Sequence, residues 1–216
     1  MESLLAVIGI IGGFLCATAD CLLDIKGSDN RKLGKMKFID SKWSDMAHSR
    51  FVWSNIIVMF AVPMYTCGFI VLMMQLGKTD KAFATGLIIV FLCGAMGGFM
   101  IHTFMCLMPT VYQKIMDKGD FTLAESVLSS MFRQIYVPFY TLYSMLVIIP
   151  AIAVMVLIIK GALGLPLWCV IMNPMAFHAI GLLLRATKCK LFIDVPGICA
   201  ASLGLGMYGV LALMLI

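Results

Sequence analysis

Two carboxylates sit four residues apart inside an apolar run, at Asp20 and Asp24. At helical spacing they share one face, about 6 Å apart along the axis. Two carboxylates that close and partly removed from water repel each other. That makes Asp20 and Asp24 a candidate general acid and base pair, or a cation site. His102 and His178 lie in other apolar runs. With Asp20 they would make an Asp–His–His ligand set with one position open for water. That is the coordination a catalytic divalent metal such as zinc uses. No HExxH or HxxxH signature accompanies them.

Further polar residues interrupt apolar sequence. Asn173-Pro174 breaks one run just before His178. Pro removes a backbone donor and frees a carbonyl, and broken helices often line binding sites in membranes. Arg50, Asn55 and Arg185 complete a candidate set, with Asn173, for holding a polar or anionic head group. Asp194 is one more buried-type carboxylate. Each such group costs roughly 2.5–3.5 kcal/mol at the bilayer centre, so each calls for a partner or a task.

Other chemistries lack their signatures. There is no GxxxxGK[ST] phosphate loop and no GxSxG nucleophile elbow. The eight Cys contain no CxxC pair. They and the 19 Met therefore read as packing residues.

The elements that must position these residues follow from composition. Of the 216 residues, 62% are hydrophobic and only 12% charged. Soluble domains carry about a quarter charged residues, so a soluble fold and intrinsic disorder are both excluded. Apolar runs near 20 residues mark spanning helices. They fall at 3–25, 51–76, 82–108, 135–159, 165–184 and 191–216. Pro109 is expected to close the third. Residues 120–134 form an amphipathic segment, lying at the interface or extending the fourth span. Trp43, Trp53 and Trp168 fit interface belts. Gly9 with Gly13, and Gly94 with Gly98, have the small-xxx-small spacing of close helix contacts. The N-terminus lacks the positive region of a signal peptide and reads as a retained helix.

The expected fold is therefore all-α, a polytopic integral membrane protein with a single six-helix bundle over residues 1–216. The loops after the first, third and fifth helices carry 13 of the 16 Lys and Arg. This bias places those loops in the cytoplasm of a cell-membrane protein and both termini outside. The +5 net charge thus reads as topology and lipid contact, not nucleic-acid binding. Asp20, Asp24, His102, His178 and Asn55 then all lie in the cytoplasmic half. A site there would bind or process a lipid or small amphiphile, by acid–base or metal-assisted chemistry. A proton- or cation-coupled transporter and a non-catalytic accessory protein are the alternatives. Membrane lipid is the expected partner, and a chain this small leaves room for a homodimer.

Overall fold

The computed structural model describes residues 1–189, 192 and 196–216, so Asp194 lies outside the described residues. Among the described residues the molecule is all-α apart from one tiny strand pair. Its helices are α1 (Glu2–Asp24), α2 (His48–Leu76), α3 (Lys81–Met116), α4 (Phe121–Tyr143), α5 (Ile149–Ile159), α6 (Pro174–Ala186) and α7 (Pro196–Leu213). Strands β1 (Lys32–Leu33) and β2 (Ile39–Asp40) pair antiparallel in the first loop. Four helices are long and apolar enough to cross a membrane, the fourth being the continuous helix Phe121–Ile159. Two shorter apolar helices, α6 and Cys199–Leu213 of α7, complete a bundle consistent with membrane embedding. Large apolar side chains such as Phe60, Met96, Met100 and Val137 point outward, as a hydrocarbon surrounding requires.

Local chemistry sets the helix starts. Asp80 accepts from Phe83 N–H at 3.0 Å and Asp120 from Leu123 N–H at 2.8 Å, capping α3 and α4. Several expected boundaries move. Pro109 does not close α3, which runs on to Met116. A lost backbone bond at Pro109 is offset because Met108, Pro109 and Tyr112 are buried. The amphipathic segment extends the fourth span instead of lying flat. A π turn at Ser144–Ile148 carries that helix past Pro150. Wider i→i+5 bonding absorbs the missing N–H of proline. The expected fifth span splits into a 3-10 turn, Leu167–Ile171, and α6 of 13 residues.

Glycines set how close the helices come. A Cβ on Gly9 would stand 2.5 Å from Gly68 Cα, and one on Gly13 would stand 2.4 Å from Gly206 Cα. Helix α1 is thereby wedged between α2 and α7, backbone against backbone. Gly94 makes the same kind of contact with Leu146 in the π turn, at 2.6 Å to its N. In α7, Gly204, Gly206 and Gly209 match GxGxxG by letters, yet they lie mid-helix. Each seats the backbone of a neighbour, Pro174, Gly13 and Ala6 respectively. A phosphate-binding loop needs a strand before it and a helix N-terminus at it, and neither is present here.

The first loop is a folded cap. Trp43 is buried in it, not in an interface belt. Gln113 of α3 donates to Trp43 O and Met46 O, both at 2.7 Å. Lys35 N–H donates to the Glu125 carboxylate of α4 at 2.5 Å, and Phe38 stacks on Phe132 at 5.0 Å. Lys26 pairs with Asp24 at 2.5 Å and with Asp40 at 2.8 Å, while Lys32 and Asn30 also reach Asp40. At the opposite end Gln75 donates to Glu2 at 2.8 Å. The first and third loops therefore share one end of the bundle, and the N-terminus and second loop share the other.

Two outcomes follow. Gly13→Val should destabilise the bundle by about 1–3 kcal/mol or more, because backbone sits where the side chain must go. Gly86→Ala, in open space within α3, should be neutral or gain up to about 1 kcal/mol from helix propensity. Thermal unfolding in mild detergent checks both.

The cap should also respond to pH. Burial raises the Asp40 pKa, but the Lys26 charge and the bonds from Asn30, Lys26 and Lys32 outweigh it and hold the carboxyl below its ordinary range. Burial lowers that of Lys26, and Asp24 and Asp40 outweigh it, leaving it raised. Asp40 thus stabilises the cap above about pH 4, and this is lost as pH falls through its folded value. Lys26 stabilises it below about pH 10, and this is lost as pH rises through its folded value. The protection of amide hydrogens across residues 26–47, relative to their intrinsic exchange at each pH, should therefore be greatest between these limits, and Asp40→Asn should remove the acid dependence.

Candidate functional site

A cavity of about 480 Å³ lies among α1, α2, α3, α4, the π turn, α6 and α7. Its walls are mostly apolar, with Val62, Leu146, Val147 and Leu205 prominent. Into it come Asp20, Asp24, His102, His178 and Ser202. These four charged or titratable residues are the ones whose types and positions stood out in the sequence.

The geometry sorts them into different roles. Asp20 is buried, and Ser202 Oγ–H donates to its Oδ2 at 2.5 Å. Its Oδ1 faces His102 Nδ1 at 3.6 Å. Asp24 instead pairs with Lys26 at the cap. The partner of Asp20 is therefore the histidine, and the two carboxylates do not act as a matched pair.

Proton accounting assigns the tautomer of His102. Ser54 has a single hydroxyl proton, and that proton goes to Ala19 O at 2.7 Å. A carbonyl can only accept. The 2.9 Å contact between Ser54 Oγ and His102 Nε2 must then be donated by the imidazole. The Cys106 thiol reaches the same oxygen at 3.7 Å. Ser54 Oγ thus gives one bond and receives two, which is its full capacity. With Nε2–H committed, His102 Nδ1 turns toward Asp20. A gap of 3.6 Å is too long for a direct hydrogen bond, but a donor atom to one side could reach both.

His178 stands on the α6 wall, edge-on to Tyr143 with ring centroids 6.5 Å apart. Its Nδ1 is buried and has no hydrogen-bond partner. An orphaned buried polar atom costs about 1–3 kcal/mol. His178 does not join Asp20 and His102 as a ligand set. Among the described residues no group of three His, Cys, Asp or Glu is gathered closely enough to hold a metal ion. Among the described residues the expected Asp20–His102–His178 zinc ligands are thus not gathered at one point, His178 belonging to another wall.

None of the four expected head-group residues lines this cavity. Arg50 donates to Leu22 O at 2.9 Å and Ile25 O at 2.7 Å, closing the end of α1. Asn55 accepts from Thr103 at 2.7 Å and borders a separate cavity of about 220 Å³ with His48 and Thr110. Asn173 caps α6, accepting from Ala176 N–H at 2.9 Å. Arg185 is exposed in the last turn of α6. Sequence reading passed over Ser54 and Ser202, because serine is common in membrane helices and carries no signal alone. Ser54 adjoins Asn55, and one residue of helix turns it about 100° toward Ala19 of α1 and His102 of α3.

The model of a family of unknown function (DUF6796) matches residues 1–216. The chain belongs to this family. No curated protein and no solved structure matches it. Its function must therefore be argued from the site.

Substitutions at Asp20 should separate packing from charge. Asp20→Asn keeps an oxygen for Ser202 and should cost little stability. Asp20→Leu leaves the Ser202 hydroxyl without its acceptor and should cost about 1–3 kcal/mol more. Thermal unfolding of the two variants side by side reads the difference.

Proposed function

We propose that this protein holds a single-chain amphiphile inside the membrane, its chain against the apolar walls and its head at Asp20, His102, Ser202 and His178. The supporting observation is the cavity itself, apolar for most of its surface with a few convergent polar groups. Ligand sites have this character, and about 480 Å³ lies within their usual size range. Entry from the bilayer is supported by the packing of α6, which rests on α7 and meets the long α4–α5 helix chiefly at the π turn. The aromatic side chains of Phe139, Tyr140 and Tyr143 border that side. The Asp20–His102 pair gives the site one proton to exchange with a bound head, as acid–base chemistry on the ligand requires. The charge bias of the first, third and fifth loops supports a cytoplasmic position for the cap end.

The test is occupancy. Protein purified in mild detergent should retain an amphiphile in native mass spectra and bind a fluorescent single-chain lipid. Ala201→Leu narrows the cavity wall and should weaken that binding at least about tenfold with little change in melting temperature, a loss that displacing a few methylenes of contact explains. Unchanged binding in Ala201→Leu would overturn the reading.

A further inference from the structure

The head group that this cavity can accept is constrained by what the cavity lacks. Among the described residues no Lys or Arg lines it. Lys26 is engaged with Asp24 and Asp40, Arg50 with the end of α1, and Arg185 is exposed at the end of α6. The lining carries two carboxylates, Asp20 and Asp24, and two histidines. A phosphate or carboxylate head would face Asp20 with no fixed cation to offset the repulsion.

A cationic head meets the opposite situation. An ionised carboxylate at Asp20 calls for a positive partner in a low-dielectric surround. With Asp20 ionised and His102 neutral, Asp20 Oδ1 and His102 Nδ1 are both acceptors, 3.6 Å apart. One donor nitrogen can sit within hydrogen-bond distance of both. His178, on another wall, also lines the cavity. A primary ammonium has three N–H donors and no acceptor, so it complements the Asp20 and His102 acceptors in kind. Tyr143 and Phe139 on the cavity wall add aromatic faces, to which cations are attracted.

We propose that the ligand is a long-chain amine or amino alcohol, bound as its ammonium form with Asp20 as counter-ion. This rests on the amphiphile reading of the cavity and narrows it to one class of head group. The acceptor geometry at Asp20 and His102 and the missing cation point the same way.

The experiment is a displacement panel on the full chain in mild detergent. Four sixteen-carbon competitors, a primary amine, an alcohol, a carboxylate and a phosphate monoester, are titrated against the fluorescent single-chain lipid. The amine should bind about tenfold more tightly than the alcohol and about a hundredfold more tightly than either acid, a span typical of a desolvated ion pair. Asp20→Asn should remove the advantage of the amine over the alcohol. His178→Phe, which keeps a ring but no acceptor, should reduce it. If an acid binds as well as the amine, or if Asp20→Asn leaves the amine's advantage intact, the head-group assignment is wrong while the amphiphile site stands. If none of the four displaces the probe, both readings fail.

Discussion

Backbone contact at glycines is the constraint on which the rest of the molecule depends. Gly9 on Gly68 and Gly13 on Gly206 bring α1 against α2 and α7 with no side chain between them. Lipid tails are as apolar as leucine, so close van der Waals contact and polar bonds, not burial from water, must hold these helices together. That approach is also what allows Ser54 of α2 to reach Ala19 O and Ser202 of α7 to reach Asp20. A side chain at Gly13 would separate the groups that make Asp20 tolerable inside the bundle.

The polar site is an exercise in satisfying every proton. Ser54 fixes the tautomer of His102, His102 turns its other nitrogen to Asp20, and Ser202 holds the far oxygen of that carboxylate. Each group is placed by a different helix. Such a network orients its members better than any pair could, because low dielectric strengthens each bond and penalises each vacancy. His178 stands apart from this network: it lines the same cavity from α6, and its Nδ1 is buried without a hydrogen-bond partner.

The cap isolates this chemistry from the basic surface. Asp40 and Asp24 draw Lys26 in, and Arg50 closes the carbonyls that α1 leaves open. The cations nearest the cavity are thus bound before they can reach it. This is why a chain with net charge +5 has an internal chamber that is acidic in character. Net charge describes the surface, and the chamber is set by which few residues face inward.

The sequence by itself determined the all-helical, apolar character consistent with a membrane bundle, the first two long helices to within about three residues, and Asp20, His102 and His178 as ionisable groups within apolar runs. Those features come from composition and from the cost of ionisable groups in hydrocarbon, both local to the chain. Only tertiary structure decided who partners whom. Asp20 pairs across helices with His102 and Ser202, while Asp24, four residues away, turns to Lys26. Arg50, Asn55 and Asn173 proved to cap helices or bridge them, because a polar residue in an apolar run has several ways to be satisfied. Pro109 and Pro150 failed to end helices because buried packing and a π turn offset the missing bond, which propensity cannot foresee. Direction around a helix changes by 100° per residue, so whether Ser54 or Asn55 meets His102 depends on how α2 is rotated against its neighbours. That rotation is set by Gly68 and its contacts, many residues away.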